Sequence, residues 1–293
     1  MSLLHALIEP SALHFILPHD DVVVLDGSYG VSGGQGSPQD FWRGMRIGNA
    51  QFFDIDKVAD PLSLLPHMLP SPDEFAAAVS AMGISNTNRV VVYDQTGLSM
   101  AAARVWWMLR IFGHENVAVL NGGLPAWRAA GLPVISTPPP PPEKTGHFTP
   151  RFRPELVRSK ADVMEALAHP EKLIVDARAA DRFTGAMAEP RGGLRAGHIP
   201  GSTNLPFVNL IDPVTGRMRT EDQLEPDLQA IAGHPEIIST CGSGVTACVL
   251  ALALHSMGRT DVAVYDGSWV EWGAADAGTP VDKIGRRRVG KEC

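Results

Sequence analysis

A cysteine followed by a glycine-punctuated turn is the feature of this chain best suited to chemistry. Cys241 lies in residues 236–257, EIISTCGSGVTACVLALALHSM: a β-branched apolar run, the turn, and an apolar segment of helix length. Gly242 and Gly244 permit unusual backbone angles, so the N–H groups of residues 242–246 can converge above a helix N-terminus. This field favours a thiolate over a thiol, which makes Cys241 a candidate nucleophile. The alternative is a buried structural cysteine before a core helix.

Loop length separates two kinds of enzyme that place a cysteine in this way. A cysteine phosphatase needs an arginine six positions after the cysteine, and here that position is Ala247. The six-residue ring from Cys241 to Thr246 instead resembles the active-site loop of the rhodanese superfamily of sulfurtransferases, and its letters, CGSGVT, resemble those of the members that use 3-mercaptopyruvate. Thiosulfate-preferring members typically carry basic residues where this chain has Gly242 and Ser243. The resemblance implies that these loop residues bind the substrate: Gly242, Gly244, Val245 and Thr246.

Two arginines could hold the other end of a substrate. Arg182 and Arg191 lie in DRFTGAMAEPRGG, a predicted loop directly after the strand LIVDAR. The carboxyl ends of parallel strands share one edge of a sheet, so this loop and the Cys241 loop are predicted to open on the same side. Guanidinium groups suit a planar carboxylate, and the resemblance implies that both arginines bind the carboxylate and keto oxygen of mercaptopyruvate. The alternative is a pair of solvated loop arginines.

Asp56, His67 and Ser243 form a second candidate constellation. In related mercaptopyruvate enzymes, an aspartate and a histidine of the first domain are proposed to form a serine-protease-like relay with the loop serine. The resemblance implies those roles for Asp56, His67 and Ser243. A histidine oriented by an aspartate can accept a proton from a serine hydroxyl or a nearby donor. The alternative is an interface salt bridge beside a serine that is needed only for its small size.

Other polar residues near these motifs favour structural roles. Arg178, just after an acid at a strand end, is predicted to be an ion-pair partner, and His198 in GHIPGS is predicted to fix a turn. Cys248 is predicted to lie in the core, and Cys293 is the last residue. Three cysteines without a close pair exclude a disulfide framework and a cysteine-based zinc site. No pair of histidines has a defensible metal-ligand spacing, so neither a metal nor an organic cofactor is predicted.

An internal repeat predicts the architecture. The closest match joins GHENVAVLNGGLPAW, residues 113–127, to GRTDVAVYDGSWVEW, residues 258–272. Each half also carries two earlier apolar strands, the second of which is followed by an apolar helix. The matching segments are 22–28 with 173–178, 89–94 with 236–241, and 101–112 with 246–257.

Continuous apolar strands that alternate with helices predict an α/β fold of parallel sheets covered by helices on both faces. The resemblance to tandem-rhodanese sulfurtransferases spans nearly the whole chain, including FFDID, HMLP, RVWWMLRIFGH and GHIPGS. It implies two rhodanese-like domains, predicted at residues 1–137 and 155–280. A proline-rich linker at 138–154 joins them, and a tail follows at 281–293. The first half has YDQTGLSMAAAR, residues 93–104, where the second has its cysteine loop, so no persulfide is predicted there.

Length and charge limit the classes of function. A chain of 293 residues exceeds the usual size of a single core, as expected for two domains. A formal net charge of −7 argues against a general nucleic-acid or anionic-membrane surface, and the basic run at residues 286–288 is predicted to be a solvated end. No apolar run is long enough to span a bilayer. The start, MSLLHALIEPSALHF, lacks the basic region of a signal peptide, so a cytoplasmic location is predicted.

These features predict a sulfurtransferase with a double-displacement mechanism. Cys241 takes sulfur from 3-mercaptopyruvate and holds it as a persulfide, and a thiol such as thioredoxin, or cyanide, then removes it. Two alternatives stay open. One is a thiosulfate sulfurtransferase, and the other is a persulfide carrier or protein-binding module whose partner supplies the reaction.

Overall fold

Two five-stranded parallel sheets, one in each half of the chain, form the framework of the protein. The computed structural model describes residues 4–30, 36–137, 141–142 and 144–283. The strands of the first sheet are β1 (Leu7–Ile8), β2 (Val22–Asp26), β3 (Gln51–Phe52), β4 (Arg89–Tyr93) and β5 (Val117–Leu120). Those of the second sheet are β6 (Val157–Arg158), β7 (Lys172–Asp176), β8 (Thr203–Asn204), β9 (Glu236–Thr240) and β10 (Ala263–Tyr265).

The two sheets share one topology. The strand order is β1-β5-β4-β2-β3 in the first sheet and β6-β10-β9-β7-β8 in the second, so each strand of one half has an equivalent in the other. β4 pairs with β2, and β9 pairs with β7, along their full lengths. The residues that follow β4 and β9 are Asp94 and Cys241. The structure thus confirms the predicted repeat and places these two residues at equivalent points of the two halves.

Ten α-helices in the described ranges cover the sheets. They are α1 (Pro10–Ile16), α2 (Pro38–Gly44), α3 (Pro72–Ala81), α4 (Met100–Ile111), α5 (Gly123–Ala129), α6 (Lys160–Ala166), α7 (Ala180–Thr184), α8 (Glu221–Ala232), α9 (Ala247–Ser256) and α10 (Ser268–Trp272). Local sequence fixes several starts: Ser37, Ser71 and Ser159 each form a capping box with the acid three residues later. α4 and α9 begin within one residue of their predicted starts.

α4 and α9, the helices that follow β4 and β9, pack against each other between the two halves. Residues 101–111 of α4 and 247–254 of α9 are buried on every side, as expected for helices inside a core. A single apolar cluster includes core residues of both halves, among them Phe53 and Leu252. This continuous core holds the two halves together at the site described below.

Some predictions lie outside the described residues: part of the proline-rich linker, and most of the tail at 281–293 with the whole basic run at 286–288 and Cys293. The domain boundaries at 137, 154 and 280 stay predictions. No helix in the described ranges combines the length and the apolar character needed to cross a membrane.

Candidate active site

Cys241 lies directly after β9, at the carboxyl edge of the second sheet, and is only 2% exposed. Its backbone N–H donates to Oγ of Ser268 at 3.2 Å, and its carbonyl accepts from the N–H of Trp269 at 3.0 Å. Ser268 is fully buried and has a φ of 47°, a left-handed conformation that costs energy in a residue other than glycine. Ser268, which no sequence motif indicates, therefore fixes the start of the cysteine loop.

The cysteine loop offers backbone N–H groups to a ligand. Gly244 has a φ of +75°, and a Cβ there would lie 2.7 Å from the carbonyl oxygen of Asp266, so only glycine fits. Within the described part of the chain, none of the N–H groups of residues 242–246 donates to a protein acceptor. Successive free N–H groups beside a buried thiol can bind an anion.

The equivalent loop of the first half is filled by its own carboxylate. Asp94 occupies the position of Cys241, and Gly97 has a φ of +77°, close to the value at Gly244. Oδ1 of Asp94 accepts from the N–H of Thr96 at 3.2 Å, from the N–H of Gly97 at 2.7 Å and from the Thr96 hydroxyl at 2.8 Å. The first half therefore lacks the thiol, and its carboxylate already takes the N–H groups of Thr96 and Gly97.

A cavity of about 360 Å³ opens beside the cysteine loop, a volume suited to a small molecule. Both halves of the chain contribute to its wall. The lining residues are Tyr29, Gly30, Met100 and Ala101 from the first half, and Arg182, Glu189, Pro190, Arg191, Leu194, Cys241, Gly242, Ser243, Val245, Thr246 and Val270 from the second. Arg182 and Arg191 thus face the same cavity as Cys241, which agrees with the predicted common edge.

A buried carboxylate holds Arg182 in place. Nη2 of Arg182 lies 2.5 Å from Oε2 of Glu189, and Nη1 of Arg178 lies 2.7 Å from Oε1 of the same glutamate. Arg178 also pairs with Asp176 at 2.6 Å and has no exposed side-chain surface, so its predicted ion-pair role is confirmed. The Arg182 side chain stays 24% exposed and remains accessible from the cavity. Sequence analysis missed Glu189 because no motif links it to the two arginines.

The backbone around Arg182 differs from the prediction. Arg182 lies on the short helix α7 and not in a loop. The helix ends at Gly185, whose φ of +78° is the left-handed conformation typical of a helix C-terminus. Gly242 lies directly against the guanidinium, and a Cβ at Gly242 would be 3.1 Å from Nη2 of Arg182. The φ of Gly242 is not positive, so the backbone does not require glycine there, and what the glycine provides is space for the Arg182 guanidinium.

Tyr29 links the arginine cluster to the first half. Burial raises the pKa of the Tyr29 phenol, the charge of Asp56 raises this pKa further, and the charge and hydrogen bond of Arg191 lower it. The Tyr29 ring meets the ring of His67 edge-on, with centroids 4.7 Å apart. Tyr29 therefore contacts both the cavity and His67, a role that no local pattern in the sequence indicates.

His67 and Asp56 form a pair in the first half. Nδ1 of His67 lies 2.7 Å from Oδ1 of Asp56, whose side chain is 58% exposed. Burial lowers the pKa of His67, Asp56 opposes this shift, and the charges of Arg104 and Arg191 add to it, so His67 is neutral at neutral pH. The structure thus brings two members of the predicted relay together. Within the described residues, neither lines the cavity that Ser243 lines.

Two further residues have the structural roles predicted for them. Cys248 is fully buried, burial raises the pKa of its thiol, and its Sγ–H donates to the carbonyl of Gly244 at 3.2 Å. Nδ1 of His198 lies 2.8 Å from the carbonyl oxygen of Phe183, and the two rings stack. Across the described ranges, no group of three or more His, Cys, Asp or Glu residues could hold a metal ion.

The family model described as Rhodanese-like domain matches the chain twice, over residues 37–130 and 159–275. Each match contains most of one sheet with its helices. The second match contains Cys241, Arg182 and Arg191, and the first contains Asp56 and His67.

Relatives resemble the chain over most of its length. The mitochondrial thiosulfate/3-mercaptopyruvate sulfurtransferase 1 of Arabidopsis thaliana is 40% identical over 292 residues, which cover 93% of this chain and 76% of the relative. The 3-mercaptopyruvate sulfurtransferase of Escherichia coli K12 is 42% identical, with 81% of this chain and 83% of the relative covered. The crystal structure of SseA from Escherichia coli superposes with a TM-score of 0.80 at 34% identity, and covers 91% of this chain and 99% of its own.

Proposed function

Because this chain belongs to the rhodanese family, we propose that it is a sulfurtransferase that moves sulfur from 3-mercaptopyruvate through a Cys241 persulfide to a thiol or cyanide. The observation that carries the proposal is the cavity in which Cys241 faces Arg182 and Arg191. A thiol beside free N–H groups and two guanidinium groups suits a substrate with sulfur at one end and a carboxylate at the other.

In the first half-reaction, the Cys241 thiolate attacks the sulfur of 3-mercaptopyruvate. An S–S bond forms, and the C–S bond breaks with its electron pair on carbon. The enolate of pyruvate leaves and takes up the proton that the substrate thiol loses, so the persulfide remains as an anion. Arg182 and Arg191 hold the carboxylate and keto oxygen, where negative charge grows as the enolate forms. Arg182 is ready for this role because Glu189 already fixes its guanidinium against Gly242.

The enzyme then holds the transferred sulfur as a persulfide on Cys241. Gly242, Gly244, Val245 and Thr246 supply N–H groups from the loop that can stabilise the persulfide anion. Cyanide, or an acceptor thiol such as that of thioredoxin, attacks the outer sulfur, the S–S bond breaks, and Cys241 returns as a thiolate.

The relay of Asp56, His67 and Ser243 remains part of this proposal. Its support is the 2.7 Å approach of Asp56 to His67, the lowered pKa that keeps His67 neutral, and the position of Ser243 on the cavity wall. Tyr29 contacts the His67 ring and also lines the cavity, so it is the group through which the pair meets the substrate. A neutral imidazole can accept the proton of the substrate thiol and return it through the two hydroxyl groups to the enolate.

Kinetics with 3-mercaptopyruvate and thiosulfate, side by side, test the proposal. We expect a higher kcat/KM for mercaptopyruvate, because the cysteine loop has Gly242 and Ser243 and no cationic side chain to bind a compact dianion. Thiosulfate is the second candidate donor, since the Arabidopsis relative is named for both substrates. A higher kcat/KM for thiosulfate would make that candidate the function. Inactivity with both donors, together with persulfide transfer from a partner protein, would support the carrier alternative.

The compartment and the acceptor also belong to the proposal. A cytoplasmic location stays a prediction from the sequence, and the Arabidopsis relative is named as mitochondrial. Cell fractionation with an antibody against the chain tests the location. Persulfide transfer to reduced thioredoxin, compared with transfer to cyanide, tests the acceptor.

A further inference from the structure

Arg104 is a fully buried arginine of α4 that lies behind the cysteine loop. Nη1 of Arg104 lies 2.7 Å from Oδ1 of Asp266 and donates to the carbonyl of Gly244 at 3.2 Å. Nη2 of Arg104 donates to the carbonyl of His67. The guanidinium also stacks over the ring of Trp107, 4.5 Å from its centroid. One side chain of the first half therefore contacts both the cysteine loop and the backbone of the candidate base.

The contact with Gly244 determines where the next N–H group points. In a trans peptide the carbonyl and the following N–H point in opposite directions, and the described chain has no cis peptide. Because Arg104 and the Cys248 thiol both hold the Gly244 carbonyl inward, the N–H of Val245 points away from Arg104. Val245 lines the cavity together with Cys241, so this N–H belongs to the group available to an anion.

The contact with His67 fixes the other side of the site. His67 has a φ of 61°, a strained conformation for a residue other than glycine, and it persists only where the surroundings determine it. Arg104 holds its carbonyl, and two residues later the N–H of Leu69 donates to Oδ2 of Asp266 at 2.8 Å. The ion pair of Arg104 and Asp266 thus joins the His67 segment to the cysteine loop across the two halves.

We propose that Arg104 is a positioning residue that turns the N–H of Val245 toward the Cys241 anion and holds the His67 backbone in the same contact network. This inference rests on the proposed function only for its kinetic readout. The geometry of the cysteine loop can be tested without any sulfur donor, through the reactivity of Cys241 itself.

The test compares Arg104→Lys with Arg110→Lys. Lysine keeps the charge opposite Asp266, but its single ammonium cannot reproduce the fork that reaches Gly244 and His67. Arg110 is the matched control, since it is a buried arginine of α4 that donates to the carbonyl of Thr260 across the same interface at 3.2 Å. Both variants are checked for folding by thermal melting and near-UV circular dichroism.

The first readout is the rate of alkylation of Cys241 by iodoacetamide as a function of pH, measured by mass spectrometry. We expect the midpoint of the Arg104→Lys profile to move up by roughly half a pH unit or more, because the thiolate loses an oriented donor. The profile of Arg110→Lys should match the natural chain. The ionisable groups around Cys241 that both variants retain are Tyr29, Arg182, Glu189, Arg191, Cys248 and Asp266.

The second readout is kcat/KM with 3-mercaptopyruvate, which should fall roughly ten- to a hundred-fold in Arg104→Lys, mainly in kcat, and little in Arg110→Lys. A folded Arg104→Lys with the alkylation profile of Arg110→Lys would overturn the inference. Failure of the proposed function would look different. No variant would then turn over mercaptopyruvate, but the shift in the alkylation profile of Arg104→Lys would still be seen.

If Arg104→Lys does not fold, variants of Cys248 test which residue orients the Gly244 carbonyl. Cys248→Ser keeps a donor to the Gly244 carbonyl, and Cys248→Ala removes it. Arg104 still holds the Gly244 carbonyl in both variants, so we expect both alkylation profiles to match that of the natural chain. A midpoint that moves up in Cys248→Ala and not in Cys248→Ser would show that residue 248, and not Arg104, orients this peptide, and would overturn the inference.

Discussion

Glu189 determines how Arg182 meets a substrate. Its buried carboxylate binds Arg178 and Arg182 at once, and Arg178 binds Asp176 as well. The Glu189 carboxylate holds the guanidinium of Arg182 in one place, with Nη2 3.1 Å from the position that a Cβ on Gly242 would take. A substrate carboxylate therefore meets an oriented cation and does not have to order a flexible side chain.

Arg182→Ala and Arg191→Ala should each weaken the use of 3-mercaptopyruvate. Loss of a charge-assisted hydrogen bond costs on the order of 1.5–3 kcal/mol, so kcat/KM should fall roughly ten- to a hundred-fold or more. Discharge of a preformed persulfide to cyanide should change far less, because that step involves no carboxylate. Steady-state and single-turnover kinetics measure the two steps separately. Unchanged kinetics with mercaptopyruvate in both variants would show that neither arginine binds the substrate.

The donor ratio should respond to charge beside the cysteine. Thiosulfate is a compact dianion, so Ser243→Lys should raise its kcat/KM relative to mercaptopyruvate, whereas the uncharged Ser243→Gln should not. The double variant Gly242→Arg, Ser243→Lys should shift the ratio further. The new side chain at 242 would displace the guanidinium of Arg182, because its Cβ would lie only 3.1 Å from Nη2, and mercaptopyruvate would lose its carboxylate partner. A ratio unmoved by Ser243→Lys and by the double variant would refute this account of donor choice.

The sequence indicated the residues with recognisable spacing and missed those that act through contacts. Cys241, Arg182 and Arg191 were predictable because a loop motif and a strand end place them at one sheet edge. Glu189, Tyr29 and Ser268 were not, because their roles depend on side chains that meet only after folding.

At the scale of elements, the two halves use the same strand-loop-helix unit for opposite purposes. Gly97 and Gly244 have nearly equal φ values, so the two six-residue loops have the same turn at this point. In the first half, Asp94 accepts hydrogen bonds from the N–H groups of Thr96 and Gly97. In the second half, Cys241 leaves the N–H groups of residues 242–246 to a ligand. An acid and a thiol therefore occupy equivalent positions in two loops, one filled by its own side chain and the other open to a ligand.

Asp94→Ala should destabilise the first half by about 1–3 kcal/mol, because the N–H groups of Thr96 and Gly97 lose their buried acceptor. Asp94→Asn should cost much less, since its amide oxygen can replace Oδ1. Burial raises the pKa of Asp94, so the natural side chain gains little from its charge. Urea unfolding of the two variants measures the difference. Equal stability of the two variants would contradict the role of the carboxyl oxygen.

The repeat in the sequence was sufficient to predict the elements and their order. The matched strands and helices were found within two residues, because apolar runs and flanking glycines mark them directly. The packing of α4 on α9 could not be predicted in this way. Both helices are apolar on every face, and such a pattern shows that a helix is buried without showing against what.

For the whole molecule, the interface between the halves contains ionisable groups as well as apolar ones. His255 of α9 meets the ring of Trp106 of α4 edge-on, at 5.2 Å between centroids. The guanidinium of Arg110 lies over the Trp106 ring, 4.9 Å from its centroid. Burial, with the charges of Arg110 and Arg153, lowers the pKa of His255 to about 4. Protonation of His255 therefore opposes the association of the two halves.

His255→Gln should make the protein less sensitive to acid. Above pH 6.5 His255 is neutral in both states, and below it the unfolded chain binds the proton first. The free energy of unfolding of the natural chain should therefore fall between pH 6.5 and about 4, and this part of the loss should be missing in His255→Gln. Urea unfolding across that range measures both slopes. Parallel slopes would show that His255 does not contribute.

The mass of the protein after exposure to 3-mercaptopyruvate tests the central claim most directly. The natural chain should gain the mass of one sulfur atom, located on the peptide with Cys241, and should lose it on addition of cyanide as thiocyanate appears. Cys241→Ser should gain nothing and turn nothing over, whereas Cys248→Ser and Cys293→Ser should behave like the natural chain. Turnover without a sulfur adduct at Cys241, or an adduct that persists in Cys241→Ser, would contradict the account.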